Sequence, residues 1–356
     1  MDTFKLEFGS TRVVVADPRA AEPYYRGTRF DRTGIILSLE SGGHRYVQPW
    51  QRHYDPYSHD AVSGPAEEFL PPVPVGLVRS DTEIRGADSF TPFGECAPDL
   101  SASPQSPNSP SPTPQSPAFV KIGVGLLRDD GEPYDRFKLY DVLDPGEMTV
   151  TLEPAGQNRS ADAVKESFPD RDLSGFRNCA AAGPCSKAVF RHTLSGRYDY
   201  VKTVEIPAEG CLRLTHALRN DGPDPIDTYV YCHNFFILDG APTGRATRFE
   251  FPFQPVGDWR APYDSVRLTE RGIAFDRDLG PSETVYMGNL TAATAEGYRF
   301  TLRNLENGLH IEAACDRAMD HAVFWSNPDV SCLEPYIPIH LDPGQSARWT
   351  LDYRFL

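Results

Sequence analysis

The stretch ARWTLDYRF, residues 347–355, shows the pattern that decides the fold of this chain. Every second side chain is apolar, from Ala347 to Phe355, and the residues between them are Arg, Thr or Asp. A period of two puts the apolar side chains on one face of a β-strand and the polar ones on the other. The Pro343-Gly344 pair before it is typical of a turn. The sequence therefore predicts a strand with one buried and one solvated face.

The same alternation recurs along most of the chain. It is clearest in residues 4–8, 13–15, 212–218, 298–302 and 309–313. The Gly9-Ser10 pair separates the first two of these segments, and Asn307-Gly308 separates the last two, as in β-hairpins. Helical spacing is poor except for a short turn near residues 161–166. We therefore predict an all-β chain of antiparallel strands.

Composition agrees with this fold class. The 356 residues include 33 prolines and 28 glycines, which excludes a coiled coil or a helical bundle. Strands over so long a chain exceed one seven-stranded sandwich. The pattern alone thus requires two sandwiches or one oversized, curved sandwich.

A low-complexity segment interrupts the pattern. Residues 101–117 read SASPQSPNSPSPTPQSP, with six serines, six prolines and no charge, so they cannot join a core. The sequence alone does not separate a linker from an insertion. We favour a disordered Ser/Pro-rich insertion, residues 98–117, within a single domain of residues 1–356, because residues 1–97 alone would form a thin sheet with unpaired edges.

Charge and cysteine content limit the partners. The net charge of −15 repels nucleic acid, and no apolar run approaches the ~20 residues that cross a bilayer. The start of the sequence has no signal-peptide pattern, and seven scattered cysteines indicate reduced thiols. We expect a cytoplasmic protein that binds neither nucleic acid nor membrane and takes a neutral or cationic small ligand.

One strand combines aromatic side chains with a titratable group. Alternation places Tyr229, Tyr231, His233 and Phe235 on a common face, and sugar rings stack on such aromatic surfaces. The alternative is a structural histidine in the core, bonded to a backbone carbonyl.

A carboxylate in an apolar setting lies later in the chain. Glu334 stands between Leu333 and Pro335, with Trp325 and Tyr336 nearby in sequence. A glutamate removed from water suits a general base. The alternative is a glutamate at the tip of a loop in water.

The third candidate region is residues 53–60, which hold two histidines and two aspartates. Their irregular spacing fits no recognised metal template, so we predict no metal site, and the alternative would use His53, Asp55 and His59. The more economical role of His59 and of Glu68 is hydrogen bonding to sugar hydroxyls.

These residues together resemble the aldose 1-epimerase family, whose fold is the galactose-mutarotase-like β-supersandwich. The likeness rests on His233 in Cys-His-Asn-Phe-Phe, on Glu334 in Glu-Pro-Tyr, and on Pro343-Gly344 followed by Trp349. It spans nearly the whole chain, and the histidine precedes the glutamate by about a hundred residues, as in the family. The resemblance implies a divergent branch of that superfamily.

The resemblance also implies a mechanism on a small-molecule carbohydrate. His233 would protonate the ring oxygen of a pyranose while Glu334 removes the proton of the anomeric hydroxyl, and no cofactor is needed. The ring then opens and recloses with either face exposed. Polar atoms of the two side chains separated by much more than about 5–7 Å, the hydrogen-bond reach on either side of one ring, would exclude this mechanism.

Further residues are assigned to substrate binding. By the same resemblance, His59 is a second histidine near the reacting end, and Arg26 or Arg29 binds a hydroxyl. Asn234 follows His233, and Asp258 is the candidate for a sugar-binding aspartate. The same scaffold serves lyases, glycoside hydrolases and non-catalytic sugar binders, which are the alternative functions. The sequence specifies neither the sugar nor the oligomeric state.

Overall fold

The computed structural model describes residues 2–51, 53–72, 117–154, 185–292 and 297–356. This part of the chain is all-β, as predicted, and contains no α-helix, so none there could span a membrane. Of the predicted insertion, residues 98–117, all but the last residue lie outside the described ranges. The helical turn expected near residues 161–166 lies outside them as well.

The described residues form twenty-three strands. In chain order they are β1 (Thr3–Phe8), β2 (Thr11–Ala16), β3 (Ile36–Ser41), β4 (His44–Val47), β5 (Ala66–Phe69), β6 (Ala118–Lys121), β7 (Gly125–Arg128), β8 (Val142–Asp144), β9 (Glu147–Pro154), β10 (Cys185–Leu194), β11 (Tyr198–Glu205), β12 (Cys211–Asn220), β13 (Ile226–His233), β14 (Thr247–Glu250), β15 (Pro255–Trp259), β16 (Val266–Thr269), β17 (Gly272–Phe275), β18 (Val285–Ala292), β19 (Gly297–Asn304), β20 (His310–Ala318), β21 (His321–Ser326), β22 (Ser331–Leu341) and β23 (Ser346–Phe355).

Four antiparallel sheets arrange these strands. The largest has ten strands in the order β16-β17-β14-β19-β20-β23-β12-β11-β10-β9. A six-stranded sheet has the order β15-β18-β21-β22-β13-β5. Strands β1 to β4 form a four-stranded sheet, and β6 to β8 form a three-stranded one.

The ten-stranded and six-stranded sheets pack face to face over one large hydrophobic core. Phe324 of β21 meets Phe249 of β14 with ring centroids 5.2 Å apart, and Phe69 of β5 meets Tyr200 of β11 at 5.3 Å. One cluster of buried apolar residues includes members of both sheets and of the four-stranded sheet. Of the two arrangements that the pattern allowed, the single oversized sandwich is the observed one.

The strand quoted first is confirmed as β23. Trp349, Leu351, Tyr353 and Phe355 are buried in the core, as the alternation predicts. Asp352, which the pattern places on the solvated face, is also buried because Arg213 of the neighbouring β12 covers it, with Nε 2.6 Å from Oδ1. An ion pair between strands has therefore removed part of the outer face from water.

Strand β5 determines where two acidic side chains point. Consecutive residues of a strand face opposite sides of its sheet. Glu67 accordingly faces the ten-stranded sheet, where Lys202 of β11 donates to its carboxylate. Glu68 faces outward, where it meets His233 of β13. This outer face of β5, β13 and β22 carries the candidate site.

Candidate functional site

Strand register brings the predicted histidine and glutamate together. Tyr231 of β13 is paired with Tyr336 of β22, and the same register two residues further on places His233 opposite Glu334. The distance from His233 Nδ1 to Glu334 Oε1 is 3.1 Å. This lies within the limit of about 5–7 Å, because the two side chains stand on adjacent strands of one sheet and touch directly. Glu334 lies within β22 and is buried, so it is not at the tip of a loop.

A second carboxylate holds the other side of the imidazole ring. Glu68 Oε2 lies 3.2 Å from His233 Nε2. Glu68 also accepts a hydrogen bond from Arg29 Nε at 2.7 Å, and Lys121 Nζ is 3.7 Å from its other oxygen. Arg29 continues the network through Nη1 to Asp60 Oδ1 at 2.5 Å. The His233 ring is therefore hydrogen-bonded to the Glu68 carboxylate and not to a backbone carbonyl, and Glu334 lies in contact with its other nitrogen.

These contacts set the protonation states of the site. Burial acts to lower the pKa of His233, but the negative charge of the adjoining Glu334 and the hydrogen bond to Glu68 outweigh it and raise that pKa. Burial acts to raise the pKa of Glu68, but Arg29 and Lys121 outweigh it and hold that pKa well below its usual range. Burial lowers the pKa of Lys121 to about 7. The cluster thus contains an ionised Glu68 beside an imidazole whose protonated form is stabilised by the neighbouring carboxylates.

The two ring nitrogens of His233 differ in their hydrogen bonding. Nε2 faces Glu68, whereas Nδ1 of His233 meets no acceptor at a hydrogen-bonding angle among the described residues, although Glu334 Oε1 is 3.1 Å away. Glu68 therefore fixes the proton at Nε2, and Nδ1 is the ring nitrogen available for proton transfer.

The predicted aromatic face surrounds the imidazole. Phe235 stacks on His233 with centroids 5.4 Å apart, and Phe30 meets its edge at 4.8 Å. Tyr231 and Tyr336 stack on each other at 3.9 Å beside it. These rings keep the ion pairs of the site in an apolar setting, which strengthens them.

Two tryptophans extend this surface outward. Trp50 lies 5.2 Å from Phe235 and 5.7 Å from Trp325 between ring centroids. Trp325, on β21, is only partly buried. It therefore presents a partly accessible aromatic ring beside Phe235, which itself stacks on the buried histidine.

The loop between β7 and β8 covers the site. Arg136 Nη1 donates to Tyr336 Oη at 3.4 Å, and its guanidinium lies 5.8 Å from the Tyr231 ring centroid. The next residue, Phe137, packs on the ring of His59 and under the guanidinium of Arg29. These two side chains therefore lie over the tyrosine pair and over Arg29, at the outer surface of the cluster.

The structure brings some predicted site residues together and leaves others at the margin. The four that meet in one cluster are Arg29, Glu68, His233 and Glu334. His59 is at the edge, with Nε2 3.0 Å from Asp60. Arg26 lies further out, where it donates to Tyr57 Oη at 3.2 Å. The ligand atoms of His53, Asp55 and His59 are not gathered around one point that could hold a metal.

Two predicted binding residues lie elsewhere. Asn234 points into the core, because its place next to His233 puts it on the other face of the sheet. Its amide nitrogen bonds to Leu333 O and Tyr298 Oη, and its oxygen accepts from Tyr353 Oη at 2.8 Å, so its polar atoms hold the two sheets together. Asp258 is exposed on β15, and β18, β21 and β22 separate that strand from β13.

Comparison with solved structures finds matches over the whole chain. The Slr1438 protein from Synechocystis sp. PCC 6803 is 13% identical, with 99% of this chain and 95% of that chain covered and a TM-score of 0.48. A galactose mutarotase related enzyme from Lactobacillus acidophilus is 11% identical, with 100% and 97% covered and a TM-score of 0.47. A galactose mutarotase-like protein from Lactobacillus casei ATCC 334 is 10% identical, with 100% of both chains covered and a TM-score of 0.44.

In fold, the chain resembles galactose mutarotase-like structures. No family model matches the chain, and no curated protein matches it in sequence. Its activity is therefore argued from its own residues.

Several members of the site were not predicted. Asp60 and Lys121 complete the network around Arg29 and Glu68, and Arg136 covers it. A signal for Lys121 exists, since this lysine directly follows the apolar Phe119 and Val120 and precedes an apolar isoleucine. A lysine inside such a run is expected to be buried with a partner.

A second charged cluster lies behind the site, on the core side of β5. Its members, Asp31, Glu67, Tyr200, Lys202 and His216, are all almost completely buried. Lys202 Nζ donates to Glu67 Oε2. The Tyr200 hydroxyl lies 3.0 Å from Asp31 Oδ2 and 2.9 Å from His216 Nδ1. The cluster ties β5, and hence Glu68, to the ten-stranded sheet.

Acid is expected to destabilise the fold partly through His216. Burial, and secondarily the charge of Lys202, lower the pKa of His216 well below 6.5. The unfolded chain takes up this proton before the folded chain does, so the stabilisation is complete above the unfolded pKa and decreases as pH falls below it. The decrease is at most about 1.4 kcal/mol per pH unit.

Urea denaturation at a series of pH values from 7 to 5 measures this effect. The free energy of unfolding of His216→Gln is expected to vary less with pH than that of the wild type. Equal pH dependence in the two proteins would contradict the assignment of a neutral, buried His216.

Proposed function

We propose that the chain is a carbohydrate-active enzyme that interconverts the anomers of a free aldose or a related cyclic hemiacetal. In this proposal His233 is the general acid and Glu334 the general base of the ring-opening step, without a cofactor. The observation that carries it is the contact of 3.1 Å between His233 Nδ1 and Glu334 Oε1, where a transferable proton stands beside a carboxylate.

The spacing of these two atoms fits a hemiacetal. Its ring oxygen and its anomeric hydroxyl are bonded to the same carbon, so a donor and an acceptor one hydrogen-bond length apart can reach both. His233 gives its Nδ1 proton to the ring oxygen, and Glu334 takes the hydroxyl proton. The bond between C1 and the ring oxygen breaks, and the electrons of the O–H bond form the aldehyde. Rotation about C1–C2 and reversal of both transfers close the other anomer.

Glu68 and Arg29 act through His233 in this scheme. Glu68 accepts a hydrogen bond from the N–H at Nε2 of His233. After the imidazole has given up its Nδ1 proton, it therefore keeps the Nε2 proton and its orientation. Arg29 keeps Glu68 ionised, so the protonated form of His233 has a permanent counter-charge. Both are positioning residues, ready before the substrate binds.

The surroundings favour a sugar as the substrate. Pyranose rings present a face of C–H groups that stacks on aromatic side chains, and Trp325 offers an accessible ring on the same face as His233. His59 and Asp60, at the edge of the cluster, supply hydrogen-bonding groups for hydroxyls.

Polarimetry tests the proposal. A freshly dissolved anomer of glucose, galactose, xylose or another common aldose is followed with and without the protein. We expect the rate constant for at least one sugar to rise in proportion to protein concentration. If every aldose equilibrates at the rate of the buffer, the proposal is wrong, and saturable sugar binding without exchange would identify a binding protein instead.

A further inference from the structure

The site contains a thiol that the proposed reaction does not use. Cys332 lies on β22 two residues before Glu334, so both side chains point to the same face of the sheet. It is a free cysteine and completely buried. One ligand atom each from Cys332, Glu334 and His233 lie within 4.8 Å of one another.

The sulfur, nitrogen and oxygen atoms of these three side chains form a set of ligands that suits Zn²⁺. Zn²⁺ is bound in proteins by cysteine sulfur, histidine nitrogen and carboxylate oxygen, and catalytic sites often have three protein ligands. A thiolate and a carboxylate together balance the charge of a divalent cation. The nitrogen available to bind the metal is Nδ1 of His233, which is buried and meets no hydrogen-bond acceptor at a suitable angle among the described residues.

The opposite side of the imidazole supports the same conclusion independently. A histidine that binds a metal generally donates its other N–H to a carboxylate, which fixes the ring and makes the free nitrogen a better ligand. His233 has this arrangement, with Nε2 3.2 Å from Glu68 and Glu68 held by Arg29. The imidazole is thus oriented with its free nitrogen toward Cys332 and Glu334.

We propose that His233, Cys332 and Glu334 form a binding site for one thiophilic divalent cation, of which Zn²⁺ is the best match. The ligand atoms draw together slightly on binding, since Zn²⁺ takes bonds of about 2.0–2.3 Å. The protons of the thiol and of Nδ1 leave as the metal enters. A fourth coordination position is left for water or for an oxygen of a ligand.

This site overlaps with the proposed proton-transfer groups. If the proposed function holds, a bound metal occupies the nitrogen and the carboxylate that would exchange protons with the sugar, and it inhibits the reaction. The metal site itself does not depend on that function, and its test uses no activity.

Metal titration of the chelator-treated, dialysed protein tests the proposal. We expect one Zn²⁺ per chain by calorimetry, and with Co²⁺ an absorption band of thiolate-to-cobalt charge transfer. Cys332→Ser is expected to abolish the band and to weaken Zn²⁺ binding by at least about tenfold. Cys232→Ser is the matched control, because Cys232 precedes His233 and is buried on the opposite face; it is expected to keep both signals.

Two results would overturn the proposal: a wild-type protein without the band, or Cys332→Ser with wild-type affinity for Zn²⁺. Circular dichroism checks that the variants are folded. If Cys332→Ser does not fold, Glu334→Gln takes its place and is expected to weaken Zn²⁺ binding to a similar extent. Wild-type affinity of Glu334→Gln for Zn²⁺ would then also overturn the proposal. Absence of anomer exchange in the wild type would refute the proposed function and leave these results valid.

Discussion

Glu334→Gln is expected to remove the acceleration of anomer exchange, by a factor of about 10²–10⁴. The amide has nearly the same size as the carboxylate, so the packing of β22 is retained, but it cannot take the proton of the anomeric hydroxyl. His233 then has no base beside its Nδ1 to complete the exchange. Polarimetry, or saturation transfer between the anomeric protons in NMR, measures the rate.

A distant glutamate provides the control for this variant. Glu270 is exposed in the turn between β16 and β17, at the edge of the ten-stranded sheet, and Glu270→Gln is expected to exchange anomers at the wild-type rate. Sugar binding by Glu334→Gln should persist, because the aromatic surface is unchanged. A wild-type rate in Glu334→Gln would exclude Glu334 as the base.

Lys202→Met is expected to lower the free energy of unfolding by about 3–5 kcal/mol. Lys202 is the cation that neutralises Glu67 in the core between the two large sheets, and both side chains are only 1% exposed. Methionine fills a similar volume but leaves the carboxylate buried without its partner, which is the costly outcome. Urea denaturation at neutral pH measures the loss.

Two further variants test whether burial of the Lys202–Glu67 pair causes the loss of stability. Arg267 and Asp276 form a pair at 2.9 Å whose side chains are about half exposed, so Arg267→Met is expected to cost at most about 1 kcal/mol. Adding Glu67→Gln to Lys202→Met removes the buried carboxylate that has lost its partner. The double variant is therefore expected to recover part of the lost free energy of unfolding. Equal losses in Lys202→Met and Arg267→Met would contradict the role given to the buried pair.

The clearest strands could be predicted from sequence, and His233 and Glu334 could be selected as candidates, because these signals are local. A period of two needs only neighbouring residues, and it identified β1, β2, β12, β19, β20 and β23. His233 stood out as the titratable member of an aromatic strand face. Glu334 stood out as a carboxylate in an apolar run. For both, the residue type and its immediate neighbours carried the information.

Two residues that the sequence analysis assigned to substrate binding, Asn234 and Asp258, lie away from the cluster. Asn234 is next to His233 in sequence, but one step along a strand reverses the face, so it belongs to the core. Asp258 lies beside a tryptophan in sequence, yet its strand is at the far edge of the six-stranded sheet. Proximity along the chain did not indicate proximity in space.

The sequence by itself determined that this protein is all-β and which residues face inward in its clearest strands, and it indicated His233 and Glu334 as the candidate acid and base. Only the tertiary structure decided their partners. Glu68 meets His233 across 165 residues, and Glu67 meets Lys202 across 135. Such pairs depend on strand order and register, which are set by the packing of the whole core. The residues next to each partner in the sequence therefore do not indicate the pairing.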